Sequence, residues 1–131
     1  MSSPKSAIVT GSTSGIGLGI ARALGQAGVN VMLNGFGEST ALERLCRELA
    51  AETTGRIAFH PADVTRPADV RAMVDAAEQA FGGVDILVSN AGLRVGELVT
   101  WPSLVTHPHR GNQLRSGVKY GLTIWFELPV I

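Results

Sequence analysis

The chain has 131 residues with 11 basic and 11 acidic side chains, and its pI lies near 6.8, so it lacks the charge footprint of a nucleic-acid or anionic-membrane binder. The length suits one domain with a real hydrophobic core, and the single cysteine, Cys46, excludes an internal disulfide and points to a reducing compartment. Met1–Lys5 is too short and polar for a signal peptide, and no apolar run approaches the roughly 20 residues of a membrane helix, so the expectation is a soluble cytoplasmic protein.

Ala7–Thr10 reads as a first strand, central in its sheet because its apolar residues run on without alternation. A glycine-rich stretch, Thr10-Gly11-Ser12-Thr13-Ser14-Gly15-Ile16-Gly17, follows and leads into a helix. There Ile16, Ile20, Ala21, Leu24 and Ala27 recur at helical spacing, and Gly28 is the natural stop. Val29–Asn34 is a second strand running into Gly35-Phe36-Gly37. Ser39 is the expected cap of a second helix with the apolar face Leu42, Leu45, Cys46, Leu49 and Ala50, ended by Gly55. On that face Cys46 reads as a small apolar residue rather than a reactive thiol. Arg56–His60 is a third strand, followed by Pro61-Ala62-Asp63-Val64. Thr65 is the expected cap of a third helix, with Pro67 in its first turn and Val70, Met73, Val74, Ala77 and Phe81 as its buried stripe. Gly82-Gly83 terminates it, and Val84–Ser89 is a fourth strand leading into Asn90-Ala91-Gly92.

Strands of buried character alternating with helices predict right-handed crossovers and a parallel sheet covered on both faces. Residues 1–93 therefore read as half of a Rossmann-type, doubly wound α/β fold, with four strands and three helices. In that setting strand, glycine loop and helix together make a phosphate cradle. Gly11 lets the chain turn sharply off the strand. Gly15 admits a close backbone approach to a pyrophosphate, and Gly17 lets the helix pack tightly. The unpaired N–H groups of the first helical turn and the positive end of the helix dipole then face the phosphates.

The loop Thr10–Gly17, taken with Asp63-Val64 and Asn90-Ala91-Gly92, resembles the short-chain dehydrogenase/reductase family over about residues 5–93. The run from Thr10 to Ala21, with Leu33-Asn34-Gly35-Phe36-Gly37, is more narrowly similar to the bacterial D-3-hydroxybutyrate dehydrogenases. The resemblance implies that Gly11, Gly15, Ile16 and Gly17 line the diphosphate of a dinucleotide, with Ser14 also among the coenzyme-binding residues. It implies that Asp63 meets the adenine ring with Val64 backing it, and that Asn90, Ala91 and Gly92 lie beside the adenosine ribose. Taken alone, Asp63 also fits a solvated turn before a helix, and Asn90 a turn former tying two loops together.

A 2′-phosphate calls for an arginine or lysine near the end of the second strand. Here that segment is Asn34-Gly35-Phe36-Gly37-Glu38, and the glycine loop carries Ser14. NAD is therefore expected over NADP, with Phe36 either contacting the ribose or packing on the sheet edge.

The resemblance stops before the family's chemistry, which uses a serine and a tyrosine followed four residues later by a lysine that lowers the tyrosine pKa. The one tyrosine is Tyr120, with Ile124 four positions on and Lys119 adjacent, so no catalytic residue is assigned. His107 and His109 flank Pro108 without a third ligand type nearby and read as loop histidines, so no metal site is assigned.

Composition changes at the same point. Fifteen alanines lie in residues 1–92 and none beyond, while both tryptophans and the tyrosine fall in the remaining 39 residues. Only Leu122–Leu128 there carries a strand-like alternation. Residues 94–131 thus read as a divergent tail. The expectation is a coenzyme-binding half whose coding frame departs from the family after Leu93, by frameshift, splicing or an early stop, leaving it inactive. The alternatives are a non-catalytic nucleotide-binding or protein-interaction module, and an unstable product with an open strand edge. The family's oligomeric contacts fall beyond this segment, so no oligomeric state is inferred.

Overall fold

A computed structural model of the chain describes residues 3–91. Gly92, His107, His109, Lys119, Tyr120, Ile124 and the segment Leu122–Leu128 lie outside these described residues. The elements run β1 (Ser6–Val9), α1 (Gly15–Gln26), β2 (Asn30–Asn34), α2 (Ser39–Glu52), β3 (Ile57–His60), α3 (Pro67–Phe81) and β4 (Ile86–Val88). The strands form one parallel sheet in the order β3-β2-β1-β4. This is the predicted Rossmann-type half, with β1 central and each strand within two residues of its expected bounds.

The register explains the strands' uninterrupted apolar character. Val9 lies beside Leu33 and Ile8 beside Met32, so neighbouring positions along one strand point to opposite faces. Val9, Val31 and Leu33 pack with Ala21 of α1 and Leu49 of α2. Ile8 and Met32 pack with Ala62 and with Met73 and Ala77 of α3. Two helices cover one face and the third covers the other, so the middle positions of β1 and β2 are apolar on both faces, and polar Ser6, Asn30 and Asn34 are buried only at strand ends. Each large side chain so buried contributes roughly 1.5–3 kcal/mol.

The helices bear out the periodicity with three corrections. The buried line of α1 is Gly17, Ala21 and Gly25, which lets its backbone come close to the sheet. Ile16 is 78% exposed and Ala27 is also exposed, so neither belongs to the core. On α2 only Leu49 is fully buried, and Ala50 faces solvent. On α3 Met73 and Ala77 of the expected stripe are buried while Val70, Val74 and Phe81 are half-buried, and Gly82 adopts the left-handed conformation (φ 87°) that ends the helix.

The expected caps differ as well. Ser39 is the first residue of α2, with Glu38 in the cap position, and Arg66 rather than Thr65 precedes α3; neither makes a side-chain cap. Thr65 instead donates its hydroxyl to Asp63 at 2.6 Å, a local bond that competes with capping. The α2 helix ends at Glu52, with Thr53 in the cap position rather than Gly55. No helix among the described residues is long and apolar enough to cross a membrane.

The contrast between Leu49 and Ile16 is measurable. Leu49→Ala should cost about 2–5 kcal/mol in chemical denaturation, because it opens a cavity between α2 and the sheet. Ile16→Ala should stay within about 0.5 kcal/mol of the parent; a core-sized loss there would contradict its exposed placement.

Candidate functional site

The carboxyl ends of β1, β2, β3 and β4 meet at one side of the sheet, where ligands bind in open α/β folds. The glycine loop is held there by residues from the end of β4. The Thr10 hydroxyl accepts the N–H groups of Asn90 (3.0 Å) and Ala91 (2.9 Å). The Asn90 amide donates to the carbonyls of Thr10 and Gly11, each at 3.1 Å. Asn90 thus ties two loops together, as its turn-former reading anticipates.

Each glycine of the loop meets a distinct requirement. Gly11 has a φ of 60°, and a Cβ on it would stand 2.9 Å from the Ala91 Cα. A Cβ on Gly17 would run into the Gly11 carbonyl and the Asn90 amide. The helix is therefore packed onto its own loop and Asn90, where tight packing on the sheet is expected. Gly15, with a φ of 57°, has open space where a Cβ would stand, leaving the start of α1 accessible. Ser14 precedes α1 without a side-chain cap, so the first-turn N–H groups keep their bonding capacity.

Two further residues organise the site without standing out in the sequence. Asn34, 2% exposed, accepts the Gly11 N–H at 3.3 Å. Its amide nitrogen donates to the carbonyls of His60 (3.1 Å) and Ala62 (2.9 Å). Ser12, fully buried, donates its hydroxyl to the Val9 carbonyl at 2.6 Å and accepts the Asn34 N–H at 3.0 Å. The available signal was a polar residue closing an otherwise apolar strand, Val31-Met32-Leu33-Asn34.

Ser14 and Phe36 line a cleft of about 610 Å³ between the glycine loop and α2. Phe36 is 72% exposed, so it does not pack on the sheet edge. The cleft's charged lining is Glu38, Arg44 and Glu48. The segment Asn34–Glu38 at the end of the second strand holds no basic residue, yet α2 brings Arg44 to this cleft. Ion pairs among the described residues do not include Arg44.

Asp63 and Val64 follow β3, with Val64 40% exposed. One Asp63 carboxylate oxygen accepts both the N–H (2.9 Å) and the hydroxyl (2.6 Å) of Thr65. The Thr65 hydroxyl and then its N–H hold the Asp63 carboxyl below the usual carboxylate range, outweighing burial, which raises it, while Arg66 adds the smallest lowering effect. Burial pushes the Cys46 thiol up, in keeping with its unreactive reading. The structure brings Gly11, Gly17, Asn90 and Ala91 into one cluster, leaves Gly15 facing open space at the start of α1, and places Ser14 with Phe36 on the adjoining cleft.

Fold and loop together define a Rossmann-type α/β unit with a glycine cradle at the start of its first helix. Residues 5–105 match the family model of the short chain dehydrogenases, and the chain belongs to that family, whose members bind nicotinamide dinucleotides. It is 46% identical over 95 residues to a D-beta-hydroxybutyrate dehydrogenase of Rhizobium meliloti, covering 72% of this chain and 37% of the relative. A D-beta-hydroxybutyrate dehydrogenase of Cupriavidus necator is 48% identical over 91 residues, covering 69% of this chain and 34% of the relative. The chain thus spans about a third of the length of these relatives. Among solved structures, the L-sorbose reductase of Gluconobacter frateurii, complexed with NADPH and L-sorbose, matches with a TM-score of 0.63 at 38% identity, covering 70% of this chain and 34% of that one.

The Asp63 turn gives a pH test. Its lowered carboxyl pKa contributes stability that is present above the unfolded value, about 3.9, and is lost as pH falls through the folded value. Thr65→Val removes the hydroxyl bond, so a carboxyl NMR titration should show the Asp63 midpoint rising toward the usual range. An unchanged midpoint would show that the hydroxyl is not the cause.

Proposed function

We propose that residues 1–93 are the coenzyme-binding half of an NAD-dependent short-chain oxidoreductase of the D-3-hydroxybutyrate dehydrogenase type. The observation that carries this reading is the cluster around Gly15. An uncapped helix start, a glycine with open space at its Cβ position and the adjoining Ser14–Phe36 cleft together suit a diphosphate with its adenosine arm.

In this reading the N–H groups at Gly15, Ile16 and Gly17 hold the diphosphate, with Gly11 and Ser14 shaping the loop. Phe36 lies along the adenosine ribose, and Asp63 and Val64 meet the adenine. Asn90, Ala91 and Gly92 close the site from the fourth strand. A bound nicotinamide dinucleotide supplies the hydride chemistry; these residues bind and orient it. Glu38 and Glu48 outnumber Arg44 in the cleft, which favours a ribose hydroxyl over a 2′-phosphate. No Tyr-x-x-x-Lys pattern occurs in the sequence, so the proposed role of these 131 residues is binding in the cytoplasm without turnover.

Titration by NADH and NADPH fluorescence tests both parts. NADH should bind, more tightly than NADPH, and Glu38→Gln should narrow the difference. No response at millimolar coenzyme would remove the binding claim, and a preference for NADPH would overturn the NAD assignment. Translating the nucleotide sequence beyond codon 93 in the other two frames should reveal a serine and a Tyr-x-x-x-Lys; their absence would remove the altered-frame reading.

A further inference from the structure

Three segments assigned to the coenzyme leave the sheet side by side: the glycine loop after β1, Gly35-Phe36 after β2, and Asp63-Val64 after β3. No strand ladder continues between them at that height, since the last register pairs are Val9 with Leu33 and Asn34 with His60. One buried side chain spans the gap. Asn34 takes the Gly11 N–H on Oδ1 at 3.3 Å. Both hydrogens of its Nδ2 are engaged by the carbonyls of His60 at 3.1 Å and Ala62 at 2.9 Å. Its backbone is bound to Ser12 in both directions, accepting the Ser12 N–H at 2.7 Å and donating to the Ser12 hydroxyl at 3.0 Å.

An amide is the side chain that fits this position. It must accept from an N–H on one side and donate twice to carbonyls on the other, in a place 2% exposed. Aspartate offers no donor when ionised, and an apolar residue offers neither function. A buried polar group left without its partner costs far more than a surface one, so the arrangement holds firmly once formed.

We propose that Asn34 is a positioning residue for the coenzyme, fixing the glycine loop, the Phe36 loop and the Asp63 loop in one frame without touching the ligand itself. The inference rests on the coenzyme reading above. Its energetic basis is preorganisation: loops held in the binding geometry before the ligand arrives lose less freedom on binding.

Asn34→Asp separates positioning from mere bulk, because its donor capacity can be switched. Ionised, the new carboxylate faces the His60 and Ala62 carbonyls and repels them. Protonated, it donates to one carbonyl and still accepts the Gly11 N–H. Burial raises the pKa of such a carboxyl. Calorimetric titration with NAD+ from about pH 8.5 down to about pH 5.5 should therefore show N34D binding about tenfold more weakly than the parent at the alkaline end, with the gap closing on acidification. Quoting the variant-to-parent ratio at each pH sets aside the changes common to both proteins; His60 and Asp63 are the ionisable groups on the strand and loop that Asn34 binds. Circular dichroism at each pH establishes that both proteins are folded.

Equal affinity at alkaline pH, or a gap that does not change with pH, would overturn the proposal. A variant unfolded throughout would make Asn34 a stability residue and overturn it equally. Hydrogen exchange of the parent's Gly11 amide needs neither variant nor ligand: it should be protected, and exchange at the rate of an open loop amide would overturn the contact. A protected Gly11 amide in a parent that does not bind NAD+ would instead remove the coenzyme reading, and with it this role.

Discussion

Strands that end together inside a protein must find partners for the peptide groups beyond their last ladder bond. Leaving such groups buried and unpaired costs more than most packing contacts return. Here the obligation falls on four short side chains. Thr10 and Asn90 join the end of β1 to the end of β4, while Ser12 and Asn34 join β1, β2 and β3. The glycine loop has its shape because its backbone answers this demand on both sides at once.

That constraint also decides where side chains are excluded. The Asn90 amide reaches two successive carbonyls, at Thr10 and Gly11, and this brings it into the space a Cβ on residue 17 would fill. Ala91 comes down on Gly11 in the same way. The glycine spacing is therefore coupled to the identity of residues some eighty positions later in the chain. A loop motif read in isolation carries half of that information; the other half is Asn90-Ala91.

This division bears on what was legible in the sequence. Strand positions and the parallel sheet follow from apolar runs such as Val31-Met32-Leu33, because helices on both faces bury successive residues in the middle of a strand. Helix α3 was legible for a similar reason, with a regular stripe and a glycine stop. Ile16 was misassigned to a buried face because spacing alone ignores the first turn's position, where the chain is still leaving the loop. The caps expected at Ser39 and Thr65 each lie one residue away, at Glu38 and Arg66, because a hydroxyl has competing local partners, and Thr65 takes the Asp63 carboxylate. Asn34 was passed over since its role depends on contacts with residues 11, 60 and 62, which no local pattern encodes. Arg44 was missed similarly: only the helix geometry returns it to the cleft beside Ser14 and Phe36.

The two ends of the sheet meet the same obligation with opposite results. At the amino ends the groups are closed off among themselves. Ser6 donates its N–H to Asp85 at 2.8 Å, Asn30 accepts the Arg56 N–H at 2.9 Å, and the Gly25 carbonyl accepts from Gly28, Thr54 and Gly55. At the carboxyl ends the strands are equally well joined, but among the described residues none of the three helices beginning there has a side-chain cap. In a right-handed parallel fold every helix must start at that end, so their unpaired N–H groups and positive dipole ends accumulate on one side of the molecule. At α2 and α3 these starts carry an acidic residue, Glu38 in the cap position of one and Asp69 in the first turn of the other. At α1 the first turn contains no acidic residue, and Gly15 leaves its surface bare. The polarity of the fold gives every helix the same opportunity for an anion, and the residues at α1 alone keep it open.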